Sequence, residues 1–187
     1  FDKKRGRAGF SMPGPGQFRA FGDLSLPLGK KGGVALYAGG FYRQPGTYFS
    51  WQRMDEGENG TARGMGEESA VSVFNKWVYG DWKLLAYFHQ RRKQIPTAVF
   101  DTIFGDTRLF TFDRRAFTDL RWSPKLSPTF RLEARLTYDH TAYEGGYPYA
   151  DDDGGLLSEE FDGHSVGVEA KLIWRPSDRL RLTLGVD

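Results

Sequence analysis

The sequence predicts an all-β protein: an antiparallel, up-and-down transmembrane β-barrel segment of about eight strands, with short turns at one end and long loops at the other. Three observations predict it. Residues 130–139 alternate without a break, with Phe130, Leu132, Ala134, Leu136 and Tyr138 at one parity and Arg131, Glu133, Arg135, Thr137 and Asp139 at the other. Side chains of a strand point to opposite faces at each step, so this run has one apolar and one charged surface; a helix would scatter both around one cylinder. Connections between runs of this kind alternate short and long, which gathers the short turns at one end of the sheet, as in outer-membrane barrels. Trp77, Trp82, Trp122 and Trp174 fall at the short-turn ends, where a membrane-interface girdle of amphipathic indoles belongs, and only Trp51 lies elsewhere.

In chain order, residues 1–16 carry Lys3, Lys4, Arg5 and Arg7 and then Pro13-Gly14-Pro15-Gly16, and are expected to be loop. Residues 17–26 read as a weak first strand, 27–33 as a turn and 34–43 as a second strand. A long polar loop is expected over about 44–68. Strands at 70–79 and 82–91 flank Gly80-Asp81, a pair suited to a two-residue hairpin turn. A second long loop covers 92–113. The fifth strand, 114–122, sets Ala116, Thr118, Leu120 and Trp122 against Phe117, Asp119 and Arg121. Residues 123–128 turn the chain into 130–139, and a third long loop, about 140–163, carries Gly145-Gly146 and Asp151-Asp152-Asp153. Residues 164–174 then place Val166, Val168, Ala170, Leu172 and Trp174 opposite Glu169 and Lys171, and Pro176-Ser177-Asp178 turns into a final alternating run. Tyr42, Phe88 and Tyr138, near the long-loop ends, form the expected second girdle.

Composition narrows the function. A mean hydropathy of −0.55 suits a barrel whose strands are apolar only at alternate positions, and no apolar run approaches the roughly 18–20 residues of a membrane helix. The formal charge of +2 and the lack of a basic stripe argue against a nucleic-acid partner. Without cysteine there is no thiol nucleophile, thiolate metal site or disulfide. The high aromatic share, 16%, fits strands with aromatic borders. The chain begins at Phe1 and stops inside the run 180–186, so one partial barrel domain over 1–187 is expected, belonging to a larger parent.

Several stretches resemble the TonB-dependent outer-membrane receptors. They are Gln94-Ile95-Pro96-Thr97-Ala98 with Thr102-Ile103-Phe104-Gly105-Asp106, then Tyr138-Asp139 leading to Gly146-Tyr147-Pro148-Tyr149, and the run from Arg179 through Val186. The resemblance implies a 22-stranded barrel in the bacterial outer membrane, filled by an N-terminal plug, which imports a scarce ligand such as a siderophore-iron complex or cobalamin. It also implies outer-membrane lipid around the barrel and a TonB complex engaged through parts of the parent absent from this chain. Two other readings stay open: a small self-contained barrel or passive pore, and a soluble lipocalin-like binder with Leu132, Leu136 and Val168 turned inward.

The candidate lumen-facing charges are Asp119, Arg121, Arg131, Glu133, Arg135, Glu169, Lys171 and Arg181, which either line a solute path or form a salt-bridge lattice keeping the wall hydrated. In the loops Tyr48, Trp51, Tyr147 and Tyr149 are candidates to stack on a small-molecule ligand, or else to pack the loops together. No enzyme, cofactor or metal is expected. Gly64-Met65-Gly66 does not open a helix after a strand, so it is no dinucleotide fingerprint. Asp151, Asp153, Gly154 and Glu160 match part of a calcium-loop spacing that Tyr149 breaks at its first position. His89, His140 and His164 show no metal-ligand spacing.

Overall fold

The computed structural model describes residues 3–49, 60–150 and 155–187. Among these residues the protein is all-β, apart from a single 3-10 turn at Val99–Asp101. Eleven strands form in chain order: β1 (Arg5–Gly14), β2 (Gln17–Pro27), β3 (Gly32–Arg43), β4 (Gly46–Phe49), β5 (Thr61–Met65), β6 (Glu68–Tyr79), β7 (Trp82–Gln94), β8 (Phe110–Trp122), β9 (Phe130–Pro148), β10 (Leu156–Ser177) and β11 (Leu180–Val186). Nine of them make one sheet in the order β1-β2-β3-β6-β7-β8-β9-β10-β11, every neighbouring pair antiparallel, while β4 and β5 pair separately as a hairpin. The up-and-down order is as expected. The sheet is open among the described residues, with β1 and β11 at its edges, so no closed barrel forms within them.

Three expectations are corrected. Residues 1–16 are not all loop: Arg5–Gly14 is a strand paired with β2 from Arg5↔Ser25 to Gly14↔Gln17, which makes nine strands of the expected eight. An ion pair from Arg7 to Asp23 at 2.7 Å crosses that pairing. A register shift between Ser11 and Gly14 absorbs Pro13, in the edge position where a missing N–H is tolerated. The loop expected at 140–163 is mostly strand as well, because β9 and β10 remain paired from Phe130↔Trp174 to Pro148↔Leu156. The loop expected at 44–68 contains the β4–β5 hairpin. At the expected hairpin Gly80 turns the chain with a φ of 57°, and Tyr79 pairs directly with Trp82.

Register sorts the side chains. On one face run Leu24, Leu36, Val73, Leu84, Leu120, Leu136, Val168 and Leu184, through eight of the nine strands, while Ala8 and Phe10 continue the face on β1. At the short-turn end this face closes in stacked rings: Trp82 on Trp122 at 5.5 Å, Phe130 on Trp174 at 5.8 Å and Trp77 on Tyr79 at 6.0 Å. Each such pair adds about 0.5–1.5 kcal/mol beyond its burial. The opposite face carries the charges.

Sorting of the loops by length is less strict than expected. Connections 28–31, 80–81, 123–129 and 178–179 lie at one end, and 44–67, 95–109 and 149–155 at the other, but the short turn 15–16 shares the long-loop end. Among the described residues the buried apolar ones are few: Ala62, Met65, Leu109, Tyr147, Ile173 and, at the end of β9, Pro148. The first four lie in or beside the long loops, and Ile173 is on the charged face opposite Arg131.

Candidate functional site

All eight candidate charges share the polar face, and the register explains how they meet. Arg121 on β8 is directly opposed to Arg135 on β9, which is opposed to Glu169 on β10. Two like charges face to face are unfavourable. Asp119, only 7% exposed, sits between them and accepts from Arg121 Nε at 3.0 Å and Nη2 at 2.7 Å, and from Arg135 Nε and Nη2, both at 3.1 Å. Arg135 also lies 3.6 Å from Glu169, which accepts from Lys171. Glu133 faces Lys171 and Arg131 faces Ile173, while Arg181 sits on the edge strand β11.

The lattice extends across the face. Asp139 binds Arg115 at 3.2 Å, and Glu68 lies between Arg43 at 3.3 Å and Arg91 at 2.7 Å. His89 Nδ1 is 2.9 Å from the Ser72 hydroxyl. Charges of opposite sign on this face satisfy one another in this way.

The long-loop end holds the second cluster. Segment 95–109 folds back on itself through Ile95 N–H to Leu109 O at 3.0 Å and Leu109 N–H to Asp106 O at 3.1 Å. It is tied to the end of β9 by Ile103 N–H to Pro148 O at 2.8 Å. Asp106 accepts from the Arg108 backbone N–H at 2.8 Å and from its guanidinium at 2.7 Å; the guanidinium holds the carboxyl below the usual carboxylate range. Leu109, Met65, Ala62 and Thr102 are buried here.

The aromatic candidates divide. Tyr147 is 7% exposed, meets Phe100 edge-on at 6.1 Å and touches the Tyr143 hydroxyl. Its ring packs the loop end. Tyr48 is half-buried across Gly66, where a side chain would collide with its ring and where φ is 79°. Tyr149 is half-buried at the end of β9, with its N–H bound to Gly155 O at 2.9 Å. Trp51 and the run Asp151-Asp152-Asp153-Gly154 lie outside the described residues.

Trp77, Trp82, Trp122 and Trp174 all lie on the apolar face at its short-turn end. One grouping was missed: strands β9 and β10 bring His140, Asp162 and His164 together on the apolar face, just beyond its greasy part. The signal was Asp162-Gly163-His164, whose first and third residues share a face in any strand. Compared with family models, curated proteins and solved structures, the chain matches none.

Proposed function

We propose that the chain supplies strands and ligand-facing loops of a bacterial outer-membrane import receptor of the TonB-dependent type. Its ligand on this reading is a scarce nutrient such as a siderophore-iron complex or cobalamin. The observation that carries the proposal is the uncovered apolar face. Leu136 is 48% exposed, Val168 65%, Val166 69% and Leu184 77%, and the buried apolar residues among those described lie off this face or, like Pro148, at its long-loop end. In water a continuous surface of this kind is strongly unfavourable, at roughly 25 cal/mol per Å². Hydrocarbon is its natural cover.

The dimensions agree. From Trp174 to His164 β10 rises roughly 34 Å at about 3.4 Å per residue. At the roughly 40° tilt of outer-membrane strands that height becomes about 26 Å, against an apolar band of about 25 Å. The charged face then turns to a hydrated lumen and the folded long loops to the exterior. The open edges at β1 and β11 fit a sheet that continues into further strands of a parent barrel, whose other parts engage the TonB complex.

The test uses single cysteines in the cysteine-free background, in the full-length protein in its native membrane. An apolar-phase probe is expected to label positions 132, 136, 168 and 172 and to spare 135 and 171. The reverse pattern, or recovery in the soluble fraction, overturns the membrane reading in favour of a soluble ligand-binding barrel. Ligand uptake that persists without TonB overturns the receptor assignment alone.

A further inference from the structure

We propose that His140, Asp162 and His164 form a binding site for a divalent transition-metal ion of the zinc class. The site stands on strand register, independent of the membrane reading above. His140 on β9 and His164 on β10 are directly opposed, and Asp162 precedes His164 by two residues, so all three side chains leave the same face. Their ligand atoms lie within 4.8 Å of one another. His140 Nε2 is 3.0 Å from one carboxylate oxygen of Asp162 and His164 Nε2 is 2.7 Å from the other. The two rings stack at 4.5 Å and 10°, with both Nε2 atoms beside the one carboxylate, and a turn of one ring about its χ2 brings the two lone pairs to a shared ion.

Two imidazoles and a carboxylate are a donor set that zinc accepts, at bond lengths of about 2.0–2.2 Å, with a fourth tetrahedral position left for water or an anion. His140, 15% exposed, is the fixed ligand, and His164 and Asp162, 55% and 52% exposed, have the freedom to close on an ion beside it. A supporting contact orients one ligand. The Tyr138 hydroxyl lies 2.8 Å from His164 Nδ1, so a proton held on Nδ1 leaves the Nε2 lone pair free for the metal.

The surroundings favour a cation on balance. Glu160 and Glu144 are paired one step further along the same face, and add negative charge. Arg114 opposes this charge from the adjacent strand β8, where it pairs with Ala142, between His140 and Glu144 on β9. Access is open as well, because the His164 and Asp162 side chains are about half exposed on the sheet face.

The experiment is titration of the purified, chelator-stripped full-length protein with Zn²⁺ by calorimetry, and with Co²⁺ by visible absorption. One ion per chain is expected, with the intense absorption of tetrahedral Co²⁺. His140→Ala, Asp162→Asn and His164→Ala should each abolish that band, and Tyr138→Phe should weaken affinity about 10-fold or more. His89→Ala, on the opposite face, should leave binding unchanged. Circular dichroism of each variant separates lost binding from lost folding. Absence of binding in the unaltered protein, or binding that survives all three ligand substitutions, overturns the proposal.

Discussion

Asp119 of β8 and Arg135 of β9 are joined by two parallel hydrogen bonds, both 3.1 Å, although the residue directly opposite Arg135 is another arginine, Arg121. One carboxylate therefore holds two guanidinium groups that would otherwise repel. Hydrogen bonds to charged groups contribute about 1.5–3 kcal/mol each, less where the partners reach water, as both arginines do here. Asp119→Ala is expected to destabilise the sheet by about 1–3 kcal/mol in urea unfolding. A double-mutant cycle with Arg135→Ala should return a favourable coupling, and strict additivity would sink the bridge.

Arginine placed on the apolar face separates the lipid and water readings. Val168 and Leu136, paired with each other, lie midway between the tryptophan end and the His140–His164 pair. In a bilayer Val168→Arg should cost about 2–4 kcal/mol, whereas the same change at Trp174, at the interface, should cost about 0–1 kcal/mol from charge. Val168 is 65% exposed, so in water Val168→Arg should be close to neutral. Refolding equilibria in lipid vesicles measure the difference.

The parts of the fold that were legible in sequence are those where the two faces differ in chemistry. The short-turn halves of β9 and β10 alternate between apolar and polar residues, β8 does so less strictly, and Leu120, Leu136 and Val168 all fall on one face, as their spacing predicts. Beyond His140 and His164 the alternation fades, with Glu144, Glu160 and Asp162 on the formerly apolar side, yet the backbone pairing continues. Alternation reports a difference between two surroundings, and it disappears where both faces are polar even if the strand does not. That is why the alternating pattern stops short of His140 and Asp162 and hides their approach to His164. The β1 strand escaped for another reason: Pro13 and four basic residues mask the short pattern of Gly6, Ala8 and Phe10.

The loop 95–109 should open with acid. Its Asp106 carboxyl is held below the usual carboxylate range by the Arg108 guanidinium. A group whose pKa is depressed by folding adds stability above its unfolded value, near pH 4, and loses it as pH falls through the lower folded value. The exposed Phe100 and the buried Leu109 offer pepsin sites once the loop loosens. Cleavage between them is expected to be slow at pH 4 and to accelerate as pH drops, while Asp106→Asn should already be cut quickly at pH 4. Equal rates for the two proteins at pH 4 would remove the ion pair from the loop's stability.

Hydrogen exchange tests where the sheet continues. Within β8 and β9 each strand has a partner on both sides, so their amides should be the slowest to exchange. On β11 only one side is paired among the described residues, and every residue of Leu180–Val186 is exposed. Unpaired strand edges cannot persist in lipid, because each lone N–H and C=O there costs several kcal/mol. On the receptor reading, comparing this chain with the full-length protein in a membrane therefore has a directional outcome. The β11 amides facing away from β10 should exchange quickly in the isolated chain and become protected in the full-length protein, where a further strand satisfies them. Equal, rapid exchange in both would mean that β11 ends the sheet, and a continuous barrel built on this edge would be excluded.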